Sequence, residues 1–365
     1  YSYVKMSNAF PSSGGIAMIL QKAYGPGAIA AAAALLMALS MVISESLVAR
    51  TFATYVLRPF DITGGPLVPI LAVGVILFAF LVNIAGSRSV GLLSLIMAVV
   101  KIGGIALFGI AALWASGFQF AAASEASPGF DITGFIASVA LAILAFKGFT
   151  TITNSGGEIT DPHRNVVYLI VAFAVGSSLT IDQIVAAKDY SLAEAAAPAL
   201  GNAGFYFTVV LAAVATASGV LASVFAVSRM LAMLTDMKMI PHRHFGMSGP
   251  IRSHTLVYTV VIASILAVFF DLTRIASLGA FFYLVMDMIV HWGVLRFMRK
   301  EVNANASIII LALVFDAIVL VAFTSMKLQS DPLIVLYAAV AITAVFAFQR
   351  IYLSRWTAPQ PSEEH

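Results

Sequence analysis

Long apolar runs separated by short polar turns make up almost the whole chain. Runs of spanning length lie at 28–57, 66–86, 90–116, 132–154, 204–234, 255–270, 275–297, 306–326 and 332–349, with a shorter one at 165–181. A helix needs about 20 residues to cross a bilayer, so the short run is marginal. Between the runs stand turn-formers: "RPFDITGGP", "AGSRS", "ASEASPGFD", "TDPHRN", "MSGPIRSH" and "KLQSDP". The alternation predicts ten helices of one all-α polytopic domain. Strands are excluded because the runs are longer than a tilted strand and show no period of two.

Composition supports a lipid solvent. Of 365 residues 61% are hydrophobic and 10% charged, with mean hydropathy +0.99, whereas soluble domains carry about 25% charged residues. So few charges cannot cover a globule in water. The absence of cysteine excludes disulfides and thiolate metal sites. The polar opening "YSYVKMSNAFPSSGG" carries no signal-peptide pattern, so no cleavable leader is expected.

Lys and Arg set the orientation. With the first residues on the cytoplasmic side and alternating spans, 13 of the 20 basic residues fall on the cytoplasmic side. Four (Arg58, Lys188, Arg274, Lys327) fall outside, and Arg50, Lys101 and Lys147 lie within helices. This positive-inside bias predicts a multi-pass protein of the cytoplasmic membrane with a cytoplasmic C-terminus.

Ionisable residues inside spans are costly and usually face a cavity or a partner. Here they are Glu45, Lys101, Lys147, Asp287, His291 and Asp316. Lys101 sits mid-run in "LSLIMAVVKIGGIALFGIAAL", too deep to snorkel easily. Lysines held out of water serve as proton carriers, or pair with backbone carbonyls. Lys147 is followed by Gly148, a residue that helps a helix to break; it reads as a substrate contact, a gate, or a partner of Glu45 joining two helices. Asp287 and His291, at i and i+4, share one helix face. No third ligand stands near them in sequence, so an Asp–His hydrogen bond between packed helices is expected, and Asp316 reads as structural. His242 and His244 in "MIPHRHFG" read as a solvated basic cluster. There is no HExxH, no GxSxG and no phosphate-binding glycine loop, so no enzyme activity and no cofactor is expected.

Four stretches carry a family resemblance. "AFKGFTTITNSGGEITDPHRNV" resembles the sixth helix of the amino acid–polyamine–organocation transporter superfamily and the loop beyond it. "YSYVKMSNAFPSSGGIAMILQKAYG" resembles the end of the second helix, "LVNIAGSRSVGLLSLIMAVVKIGG" the junction of the fourth and fifth, and "SRMLAMLTDMKMIP" the end of the eighth. They occur in the family's order. The resemblance assigns the end of the second helix to 1–25, the third to 28–57, the fourth to 66–86 and the fifth to 90–116. The sixth then falls at 132–154, a partial seventh at 165–181, the eighth at 204–234 and the ninth at 255–270. The tenth to twelfth fall at 275–297, 306–326 and 332–349. The family's first helix, most of the second and about half of the seventh have no counterpart, so a longer chain is expected.

The resemblance implies a leucine-transporter-type fold, with inverted five-helix repeats plus two extra helices, the first helix of each repeat broken near the midplane. The break would fall at Ala145–Thr150. Carbonyls of Leu144, Ala145 and Phe146 would meet a substrate ammonium, and Phe146 or Phe149 would cap it. Lys147 and Thr150 would select the substrate beside Gly148, with Glu45 as a possible counter-charge. A lysine there favours neutral or acidic amino acids over cationic ones. Lys101 matches a fifth-helix lysine whose ammonium replaces the sodium ion of sodium-coupled relatives, with Thr216 and Ser218 as neighbours. Amino acid transport by alternating access with proton symport is thus implied, the partners being an amino acid, protons and the bilayer, with no nucleic acid. A cation or polyamine transporter, or an amino acid exchanger, is the rival on the same fold.

Overall fold

The computed structural model describes residues 1–10, 15–62, 64–115, 117, 132, 135–136, 139–140, 191–241 and 250–356. Ten α-helices are described in full: α1 Ser2–Ala9, α2 Gly15–Tyr24, α3 Ala28–Leu57, α4 Leu67–Ile84, α5 Ser87–Ala115, α6 Ser191–Asp236, α7 Ile251–Phe269, α8 Leu272–Gly293, α9 Ala306–Ser330 and α10 Pro332–Trp356. From α3 onward, eight are long and apolar enough to cross a membrane. The runs at 132–154, a few positions apart, and at 165–181 lie outside the described residues.

Local chemistry ends the helices where the turn-formers stand. Gly86 adopts φ 105° between α4 and α5, a conformation that L side chains rarely take. Asp271 caps α8 by accepting from the Arg274 N–H at 2.9 Å, and Asn305 caps α9 by accepting from the Ser307 N–H at 2.9 Å. Pro332 opens α10, where its missing N–H costs nothing. A π-turn, Val294–Met298, extends α8. Within α6, Gly201 (φ 62°, ψ −159°) breaks the helix, so the spanning part is Gly201–Asp236. The apolar run at 204–234 begins just beyond this break.

The core sits around α3. In its most apolar stretch 72% of residues are buried, as in α8, against 6% in α5 and 17% in α10 among the described residues. Ala30 to Ala34 are all fully buried, five in succession, so α3 is enclosed on every side there. Such small side chains let helix backbones approach closely where lipid gives no hydrophobic drive to associate. α3 packs against α2, α4, α6, α7, α8 and α10. α5 leaves Leu92, Leu95, Val99 and Trp114 mostly exposed.

Candidate functional sites within the helix bundle

Two contacts fix the register of α5 on α6. Arg229 Nη2 donates to Ser87 Oγ at 3.4 Å, and a Cβ added at Gly104 would meet the Leu211 side chain. Seventeen residues along α5, from Ser87 to Gly104, match eighteen back along α6, from Arg229 to Leu211, so the helices are antiparallel. Lys101, three residues before Gly104, shares its face and stands level with residues 214–215 of α6. Ser218, two turns from Leu211, shares the Leu211 face. Lys101 and Ser218 therefore belong to one seam, offset by about 5 Å along the axis. Ser218 is buried and Lys101 half-buried.

A second seam joins α3 to α6. A Cβ at Gly219 would stand 3.2 Å from Val48 Cγ1, and Tyr55 packs on Val209 further along, so this pair is antiparallel too. Glu45 lies one turn from Val48, and Thr216 one turn from Gly219. They flank the close contact on opposite sides, about 9 Å apart along the axis. The Thr216 hydroxyl donates to the Ala212 carbonyl at 2.6 Å, which leaves its lone pairs as acceptors. Thr216 and Ser218 thus stand within a turn of the level of Lys101, while Glu45 lies about two turns further along.

Glu45 is fully buried, and neither carboxylate oxygen has a hydrogen-bond partner among the described residues. An ionised carboxylate held that way costs several kcal/mol, so the position demands a proton, a cation or a donor. Val42, one turn away, lines a mostly apolar cavity of about 190 Å³ between α3, α6 and α7, with Leu231, Thr235 and Tyr258. The other expected substrate residues, Leu144, Ala145, Phe146, Lys147, Gly148, Phe149 and Thr150, lie outside the described residues, so their pairing with Glu45 is unobserved.

A further polar cluster joins α1, α8 and α9. Asp287 and His291 do lie on one face, but His291 Nε2 is 3.6 Å from Asp287 Oδ2, too far for the expected hydrogen bond. Asp316 of α9 supplies the third group that the sequence reading lacked, its Oδ2 lying 3.7 Å from His291 Nε2. The reason is the packing of α8 on α9, which is antiparallel: Arg274 pairs with Asp331, and the tilted rings of Phe281 and Phe323 meet with centroids 4.9 Å apart. Residues on either side of the intervening turn are thereby brought together. From α1, the Tyr3 hydroxyl donates to Asp287 Oδ1, and Ser2 Oγ lies 2.9 Å from His291 Nδ1. Tyr3 and Ser2 carry no charge and sit in a short segment, so nothing in the sequence marks them.

Comparison with known proteins places this helix bundle. A family model described as "Amino acid permease" matches residues 1–347. The chain is 25% identical over 339 residues to the inner membrane transport protein YbaT of Escherichia coli K12, covering 88% of this chain and 78% of that protein. It is 27% identical over 307 residues to protein MJ0609 of Methanocaldococcus jannaschii, covering 80% and 69% respectively. It is also 27% identical over 241 residues to the transporter Rv1979c of Mycobacterium tuberculosis, covering 61% of this chain and 47% of that protein.

Proposed function

Since the chain belongs to the amino acid permease family, and is a transporter rather than an enzyme, we propose that it carries amino acids across the cytoplasmic membrane by alternating access, as a proton symporter. The observation that carries this reading is the register of α5 on α6. It sets an ammonium, Lys101, within a turn of the Ser218 hydroxyl in the seam between α5 and α6, and within a turn of the level of Thr216 on the α3-facing side of α6. A protonated Lys101 donates across that seam and ties the helices together; on losing its proton it loses a donor, and the seam loosens. Proton occupancy then biases one arrangement of the helices over the other, which is what coupling requires. Leu144 to Thr150 hold the substrate in this reading, on the broken sixth helix of a leucine-transporter-type fold, with Lys147 turning away cationic side chains.

The test uses the full-length protein in proteoliposomes with an inward proton gradient and a panel of labelled amino acids, wild type against Lys101→Ala. The expected result is gradient-driven accumulation of neutral or acidic amino acids, lost in the variant while exchange survives. Equal accumulation in both sinks the role of Lys101. A cationic solute is the second reading, favoured by the buried Glu45 carboxylate, which has no hydrogen-bond partner among the described residues. Uptake of polyamines or metal cations, with no amino acid carried, would establish it instead.

A further inference from the structure

The geometry points to a divalent transition-metal site, of the zinc class, made by Asp287 and His291 of α8 with Asp316 of α9. One ligand atom from each lies within 4.8 Å of the other two. The three residues are 8%, 7% and 7% exposed. Asp316 Oδ2 is buried, aimed at this cluster, and has no hydrogen-bond partner among the described residues.

Three further observations fit a metal better than a shared proton. A proton between imidazole and carboxylate draws N and O to about 2.7–2.9 Å, whereas His291 Nε2 stands 3.6 and 3.7 Å from its two carboxylate oxygens. Those spacings suit atoms that share a cation: with zinc bonds of about 2.0–2.2 Å, tetrahedral ligand atoms lie roughly 3.4 Å apart. Charge agrees, since two carboxylates and a neutral imidazole carry two negative charges, which a divalent ion cancels in a buried place.

The surrounding contacts orient the ligands as metal sites require. Ser2 Oγ lies 2.9 Å from His291 Nδ1; in the Nδ1–H tautomer that a metal at Nε2 requires, it accepts that proton and the Nε2 lone pair faces the carboxylates. Tyr3 donates to Asp287 Oδ1, which leaves Oδ2 for the metal. Imidazole with two carboxylates is a ligand set that zinc and its neighbours accept, and three protein ligands leave a fourth position open. A bound ion would join α8 and α9 directly and α1 through its hydrogen bonds.

The experiment is metal titration of the purified, chelator-stripped full-length protein, with Co²⁺ as a spectroscopic probe and Zn²⁺ as competitor. Expected are one Co²⁺ per chain, with visible absorption bands of a four-coordinate ion, and displacement by Zn²⁺. Asp316→Asn and His291→Gln should each weaken binding more than 100-fold, and Ser2→Ala roughly 10- to 100-fold. Failure of wild type to bind one ion overturns the site. Unaltered binding in Asp316→Asn, or loss only in a His242→Gln, His244→Gln double variant, overturns it equally. Should Asp316→Asn not fold, Asp316→Glu and Ser2→Ala decide, and unchanged affinity in both overturns it.

Discussion

Gly219→Ala puts a methyl group where α3 and α6 come closest. The new carbon would lie 3.2 Å from Val48 Cγ1, some tenths of an ångström inside the favourable range of about 3.5–4.0 Å. Val48 cannot simply turn away, because a β-branched residue in a helix has one strongly preferred rotamer. The helices must separate slightly, and overpacking of this kind costs about 1–3 kcal/mol. Against it stands the helix-propensity gain of alanine over glycine, about 1 kcal/mol. The net expectation is a destabilisation of about 0–2 kcal/mol. Val48→Ala removes the obstructing methyl, so the double variant should be more stable than the two single effects predict, by about 1–2 kcal/mol. Thermal unfolding of wild type, both single variants and the double variant in detergent measures that coupling. Additivity within about 0.5 kcal/mol, or a rise in Tm for Gly219→Ala alone, would refute the close α3–α6 contact and with it the flanking positions of Glu45 and Thr216.

Two other predictions follow from the charges. Glu45→Met replaces a buried carboxylate that has no hydrogen-bond partner among the described residues with an apolar side chain of similar size, and such exchanges are often neutral or stabilising by about 1–4 kcal/mol. Glu45→Met should therefore keep or raise the Tm while gradient-driven uptake falls at least about tenfold, the expected trade at a functional residue; a less stable variant that transports normally refutes this. At the turn between α9 and α10, a hydrogen bond from Arg274 at 2.6 Å holds the Asp331 carboxyl below its ordinary range. A carboxyl depressed in the folded state stabilises above its unfolded pKa of about 3.9, and the contribution is lost as pH falls through the lower folded value. The Tm gap between wild type and Asp331→Asn should thus stay level from pH 7 to about 4 and close below that; a gap that widens on acidification contradicts the pairing.

Sequence alone carries the all-α, polytopic character of this chain, because a span is a local property: twenty apolar residues announce themselves without reference to neighbours. The run at 28–57 and α3 Ala28–Leu57 cover the same residues. Where a helix breaks at the edge of an apolar run, as at Gly201 before the run at 204–234, the local signal is one glycine among many small residues. Register is harder still. In helices apolar on every face, periodicity does not say which side meets which neighbour, so the level of Lys101 on α6 emerges only from contacts such as Arg229 with Ser87. Asp316 shows the same limit. A search for ligands at i and i+4 looks along one helix and cannot see a partner 25 residues away on the next. One signal was present: His291 and Asp316 are nearly mirrored about the turn before Asn305, as antiparallel neighbours must be.

The five alanines of α3 have a consequence for how the molecule tolerates change. A helix with one buried face accepts substitutions in a rhythm, permissive positions returning every third or fourth residue. Ala30 to Ala34 are enclosed all round, so that rhythm is absent. Variation there is limited to side chains no larger than a methyl or hydroxymethyl group, five codons in a row. The stretch behaves as an axle in a close-fitting sleeve, and the freedom to diverge passes to α5, α9 and α10, whose outward faces meet no such wall among the described residues.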